Sequence, residues 1–134
     1  MRHHAGPAAA AASLTAAYPQ LFTTDIARAC AFFEQKLGFA ISFLHGAPPF
    51  YGQVMRDGVR LNLRHVDVMP FTGDVRAADH LLSAYVETSD IDALHAEYQA
   101  RGVALHQPLT TQVWGVRDFV ICDPDGNLIL FASR

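Results

Sequence analysis

The residues most able to do chemistry recur on short alternating stretches. Ser83, Tyr85 and Glu87 occupy every second position, as do Arg60, Asn62 and Arg64, and Tyr18, Gln20 and Phe22. A period of two puts each trio on one face of a strand. Hydroxyl, phenol, carboxylate, amide and guanidinium groups would then look the same way, a mixture suited to holding a polar organic molecule. Glu87 could serve as a base if desolvated; pairing with Arg60 or Arg64 is the duller role and the expected one. Trp114, the only tryptophan, sits in Gln112-Val113-Trp114-Gly115, where Gly115 lets the chain bend and aim the ring toward a cleft. No Gly-x-Ser-x-Gly elbow and no readable Cys/His pair is present, so nucleophilic catalysis has no support. His45, His65 and His106 fall at strand ends or loops and His95 on a helix, where structural roles are expected. Asp123 and Asp125 read as turn formers, because Asx side chains satisfy backbone donors in turns.

Composition narrows the classes further. A chain of 134 residues with 51% hydrophobic and 17% charged residues fits one globular domain. A net charge of -3 leaves no basic footprint, which excludes nucleic acid as an expected partner. No apolar run approaches the roughly 18 residues of a membrane span. Cys30 and Cys122 lack metal or redox spacing and read as reduced thiols of a cytoplasmic protein. Met1 to Ala17 is an Ala-rich tail without the large aliphatic residues of an export signal.

The elements that must position these side chains occur twice. Thr24-Asp25-Ile26 opens a helical stretch closed by Leu37-Gly38-Phe39, and Ser89-Asp90-Ile91 opens another closed by Arg101-Gly102-Val103. Asp25 and Asp90 lie 65 residues apart, and the turn glycines Gly58 and Gly126 lie 68 apart. Each copy reads as strand, helix and three strands, covering about residues 18–65 and 82–134. In the first copy the spacing predicts strands over 18–23, 40–45, 50–56 and 59–64, with Thr24 or Asp25 as helix cap and a tight turn at Asp57-Gly58. In the second it predicts strands over 82–88, 104–107, 116–122 and 128–132, with Ser89 as cap. Residues 66–80 read as an irregular link. The fold class is α+β: two tandem βαβββ modules enclosing a half-barrel-type cavity. Val59, Leu61 and Leu63, with Ile129 and Phe131, should meet the helices, leaving Leu128, Leu130 and Ala132 on the open face with the polar trios.

This order of motifs resembles the vicinal-oxygen-chelate superfamily of glyoxalases, extradiol dioxygenases, fosfomycin-resistance enzymes and bleomycin-resistance proteins. Its carriers span Tyr18 to Arg134: Thr24-Asp25-Ile26, Phe32-Phe33-Glu34, Leu37-Gly38-Phe39, Asp90-Ile91-Asp92-Ala93-Leu94, Arg101-Gly102-Val103 and Asp123-Pro124-Asp125-Gly126-Asn127-Leu128-Ile129. Enzymes of that superfamily hold a divalent metal with one His, Gln or Glu from each of four strands. The resemblance puts Tyr18, Asn62, Ser83 and Leu130 in those places. Leu130 cannot coordinate, Ser83 and Asn62 are weak neutral ligands, and Tyr18 would have to ionise from a pKa near 10. A shift of register brings His80 or Glu87 closer, but the last strand still offers no acid or imidazole. No metal and no cofactor is therefore expected.

Trp114-Gly115, Arg117 and Phe119 ahead of the Asp-Pro-Asp-Gly-Asn turn are most similar to the metal-free bleomycin-resistance branch. The implied function is a cytoplasmic, homodimeric protein that binds or sequesters a small organic ligand without catalysis. Its expected cavity is lined by Tyr18, Phe22, Arg60, Asn62, Ser83, Tyr85, Glu87, Trp114 and Leu130. The alternative is a lyase, isomerase or dioxygenase of the same superfamily with a noncanonical site. An interaction module with a filled cavity is the third reading, disfavoured by the mixed polarity of the open face.

Overall fold

The computed structural model describes residues 11–71 and 75–133. It contains two four-stranded sheets of the same topology. The first has the order β1-β4-β3-β2, from strands Gln20–Thr23 (β1), Ala40–Gly46 (β2), Pro49–Arg56 (β3) and Val59–His65 (β4). The second has the order β5-β8-β7-β6, from Leu82–Glu87 (β5), Leu105–Thr111 (β6), Arg117–Cys122 (β7) and Leu128–Ser133 (β8). Helices Ile26–Gln35 (α1) and Ile91–Ala100 (α3) complete the βαβββ units, and a single turn, Val75–Ala78 (α2), lies between them. In each sheet the first strand runs parallel to the last: Gln20 sits beside Asn62, and Tyr85 beside Leu130. The α+β class and the tandem repeat are thus those the sequence implies.

The repeat extends to single hydrogen bonds. Asp25 and Asp90 cap their helices by accepting from the Arg28 and Ala93 backbone N–H groups, each at 3.0 Å. One residue pair earlier, Thr23 and Thr88 hydroxyls accept from the N–H of those same aspartates. Ser89 is therefore not the cap; its neighbour takes the role because a carboxylate is the stronger acceptor for the first-turn donors. Gly38 and Gly102 end the two helices at φ of 76° and 70°, a region that a Cβ disfavours.

Most strand ends fall within one residue of expectation; three larger departures each trace to a proline or a buried charge. Strand β1 begins at Gln20, leaving Tyr18 outside it. Pro19 has no N–H to give the ladder, although its carbonyl accepts from Asn62 at 3.0 Å. Strand β6 runs through Pro108 rather than ending before it. It is an edge strand whose pairing with β7 is irregular on both sides of Gln107, so the missing donor costs little. The link between modules is not wholly irregular: α2 carries Arg76, buried, with its guanidinium donating to Asn127 Oδ1 at 2.8 Å. Of the N-terminal tail, residues 11–17 are exposed and form no helix or strand, and residues 1–10 lie outside the described residues.

The main core lies between the two helices and the sheet faces they cover. Leu21, Phe33, Leu37, Val54, Leu61, Tyr98, Phe119 and Ile129 are all fully buried in it. A second, smaller cluster occupies the other face of the second sheet: Val116, Val120, Leu128, Leu130 and Ala132. The expectation that Leu128, Leu130 and Ala132 line an open face is therefore not met. These side chains are aliphatic, and removing them from water is worth on the order of 1.5–3 kcal/mol for each large one.

Candidate functional site

The modules are held together at two places by long-range polar contacts. At one, Arg56 at the end of β3 donates two hydrogen bonds to Glu97 of α3, at 2.8 and 2.9 Å, and a third to the Leu37 carbonyl at 2.8 Å. The bond from Arg56 holds the Glu97 carboxyl below its usual range. Tyr98 donates to the same Leu37 carbonyl, and burial pushes its phenol up to about 12, so it stays protonated. Gly38 fits under this ion pair because it has no side chain: a Cβ there would stand 2.9 Å from Arg56 Nη1 and 3.2 Å from Glu97 Oε2.

The second junction is the turn 123–127. Asp123, buried, accepts from the backbone N–H of Asp125 and Asn127 and from the Asn127 amide. Desolvation pushes its carboxyl up to about 6, against the pull of those donors. Asn127 in turn donates to the Phe22 carbonyl of β1, 105 residues away in sequence. The Asp125 carboxylate receives the Arg28 guanidinium and the Thr24 backbone N–H. The turn-forming role expected of Asp123 and Asp125 is realised, and it also ties the end of the chain to the first module.

Between these junctions a cleft of about 460 Å³ opens at the seam of the two modules. It brings together four of the residues singled out in the sequence: Tyr18, Arg60, Tyr85 and Glu87. Ala16, Ala17, Pro19, Gly58, Val59, Leu61 and Val86 complete its lining. Tyr18 and Tyr85 are about half exposed, so their ring faces are available to a ligand. A smaller cleft of about 390 Å³ adjoins it and shares Gly58, Val59, Val86 and Glu87. Glu87 stands on the rim of both, and among the described residues it makes no ion pair. The expected pairing with Arg60 or Arg64 is not formed; Arg60 Nη1 instead donates to Gln53 Oε1 at 3.2 Å.

The other five expected residues lie outside this cleft. Asn62 faces the open side of the first sheet and accepts from Gln53 Nε2 at 2.9 Å. Phe22 is half-buried on β1, and its carbonyl serves the Asn127 contact. Ser83 donates to Asn127 Oδ1 at 3.3 Å, so its hydroxyl is spent on the turn. Leu130 is packed in the second cluster. Trp114, 66% exposed, projects from the turn between β6 and β7 and covers no core. Sequence reasoning missed Arg76 and Asp118. The latter is buried and accepts from the side-chain amides of Gln107 and Gln112 at 2.7 and 2.9 Å. A polar residue inside the run Asp118-Phe119-Val120-Ile121 was the only local signal.

The superfamily's metal does not fit this donor set. Of its four positions, Leu130 has no donor atom, Asn62 and Ser83 offer neutral oxygens already in hydrogen bonds, and Tyr18 lies ahead of its strand.

Comparison with known proteins agrees with this architecture. Residues 14–131 match the family model of the glyoxalase/bleomycin resistance protein/dioxygenase superfamily. A bleomycin resistance protein of Geobacillus stearothermophilus is 32% identical over 128 residues, covering 87% of this chain and 94% of that protein. One from Staphylococcus aureus is similar to the same extent. Among solved structures, the bleomycin-binding protein from bleomycin-producing Streptomyces verticillus, complexed with copper(II)-bleomycin, superposes with a TM-score of 0.71 at 27% identity. That match covers 90% of this chain and 97% of that one. The bleomycin resistance determinant encoded on the transposon Tn5 shares the fold, with a TM-score of 0.74 at 18% identity over 90% of this chain and 98% of that one. With its doubled βαβββ unit and this match over most of its length, the chain belongs to the glyoxalase/bleomycin resistance protein/dioxygenase superfamily.

Proposed function

We propose that this protein binds and sequesters a small organic ligand of the bleomycin type, without a metal cofactor and without catalysis. The observation that carries this reading is the seam cleft, which is lined by two half-exposed tyrosines, by Arg60 and by a Glu87 carboxylate that makes no ion pair among the described residues. Aromatic faces supply stacking area, and an unpaired carboxylate favours a cationic or hydrogen-bond-donating ligand. The relatives named for bleomycin resistance support the same ligand class. The working unit is a homodimer. Every residue of the edge strand β2 is exposed, including Ile41, Phe43 and Leu44, and an apolar edge of this kind is normally covered. A second chain would also bring further side chains to the cleft, and Trp114, with its ring in solvent, is the leading contributor. The binding domain runs from Tyr18 to Arg134 behind an Ala-rich tail. A cytoplasmic setting suits the free thiols Cys30 and Cys122.

Titration with bleomycin, followed by calorimetry and by Trp114 fluorescence, tests the reading. Binding that weakens by about fivefold or more in Tyr85→Ala, where one lost stacking contact is worth about 1 kcal/mol, and that also weakens in Glu87→Gln supports it. No heat and no thermal stabilisation with bleomycin, or equal affinity in both variants, would sink it. Sedimentation equilibrium showing a monomer at micromolar concentration would remove the dimer.

A further inference from the structure

Away from the cleft, two imidazoles meet where the link between modules reaches the second sheet. His80 Nδ1 and His106 Nε2 are 3.0 Å apart, with the rings at 62°. His106 is the extra residue of an irregularity in β6, between the paired positions Leu105 and Gln107, and this turns it out of the ladder. His80 is held by a helix-ending motif: Leu81 N–H donates to the Arg76 carbonyl and His80 N–H to that of Ala77. That motif gives His80 a φ of 53°, in the left-handed region where glycine is the ordinary choice and a side chain is strained. Histidine tolerates this region better than most side chains, but turn formation does not account for its ring meeting a second histidine.

We propose that His80 and His106 form a two-imidazole chelate for a divalent transition-metal cation, with Cu(II) as the preferred ion. Two nitrogens 3.0 Å apart, each about 2.05 Å from one metal, subtend an angle of about 95° at it. This matches neighbouring ligands of a tetragonal ion, Cu(II) or Ni(II), more closely than the tetrahedral angle that Zn(II) prefers. Binding needs both lone pairs. The hydrogen now shared between the rings moves to the second nitrogen of the imidazole that carries it, so both rings remain neutral and no proton is lost. A slight turn of each ring then aims the lone pairs at one point beside the line joining the two nitrogens. Asp79, exposed and adjacent to His80, adds negative charge nearby. Among the described residues no third His, Cys, Asp or Glu completes the set, so water supplies the remaining positions and the ion exchanges readily. The chelate would fasten the link to β6 and so fix how the second module's first strand is approached.

The test uses the full chain carrying His3→Ala and His4→Ala, so that the N-terminal histidines cannot contribute. Thermal melts with excess Cu(II), Ni(II) and Zn(II) should show a rise that falls in that order, and the electron paramagnetic resonance spectrum of the Cu(II) form should show two imidazole nitrogens. His106→Gln should abolish the Cu(II) rise. His80→Gly should abolish it as well, while leaving the metal-free melting temperature unchanged or higher because the left-handed strain is gone. Absence of a Cu(II) rise in the parent overturns the proposal, as does an equal rise in either variant. Because two separate positions are removed, a failure of one variant to fold leaves the other to decide.

Discussion

The two sheets share one topology, yet their outer faces are built from opposite chemistry. On the first sheet, Arg60, Gln53 and Asn62 join in a hydrogen-bonded row across β3 and β4. On the second, the matching positions are aliphatic, and Leu128, Leu130 and Ala132 pack with Val116 and Val120. Asn62 and Leu130 are equivalents by register, one beside Gln20 and the other beside Tyr85. The duplicated backbone thus decides where a side chain points, but not whether that face stays wet. Polar groups on the first face bond to one another across its strands, around a Gln53 that is itself buried, whereas aliphatic groups close the second.

The sharpest way to break this comparison is to mutate the equivalent pair. Leu130→Ala should lower unfolding free energy by about 3 kcal/mol, because it leaves a cavity in a packed cluster. Asn62→Ala should cost only about 1 kcal/mol, the loss of its bond from Gln53. Urea denaturation of both variants measures the contrast; similar costs would mean that the two faces are alike.

The turns of the two modules differ in the same sense. Asp57 lies at the tip of the β3–β4 turn with its side chain 92% exposed, whereas Asp123 is buried beneath its own turn. The folded state holds the Asp123 carboxyl at about 6 against an ordinary value of 3.8. A raised folded pKa means that the stabilisation is complete below about pH 4 and is lost as pH rises through about 6. The contribution at stake is on the order of 3 kcal/mol. Subtracting the pH–stability curve of Asp123→Asn from that of the parent should expose this fall. Asp57→Asn should fold with nearly unchanged stability, since Asn also accepts a positive φ.

The smallest effects should come from the exposed aromatic residues. Tyr85→Ala and Trp114→Ala should each change stability by less than about 0.5 kcal/mol, as usual for surface positions. A Trp114→Ala protein that unfolds would show the ring to be packing, and would point to a second chain covering it.

Much of the fold is written locally and can be read without the structure. The helix-capping aspartates, the glycines at positive φ, the Asp57-Gly58 turn and the alternation of Leu61 and Leu63 each depend on neighbours within a few residues, and the doubling of these signals identifies the tandem unit. The misread boundaries at Pro19 and Pro108 have a cause that is only half local. A proline removes one donor, but whether a strand continues past it depends on the partner strand, which is distant in sequence.

The candidate site was only partly readable, for the same reason carried further. Alternation placed Tyr85 and Glu87 on one face, and the cleft gathers them with Tyr18 and Arg60. It could not show that Ser83 turns to Asn127, or that Arg60 spends its guanidinium on Gln53 and leaves Glu87 unpaired. The sequence alone determined the repeated unit, the family and the residue types available to a ligand, because these follow from short-range conformational preference and pattern. Tertiary structure alone decided which face stayed open and which long-range partners met: Arg56 with Glu97, Arg76 with Asn127 and His80 with His106. Those choices depend on distances between segments 26 to 51 residues apart, which side-chain type does not encode and only packing of the modules and their link settles.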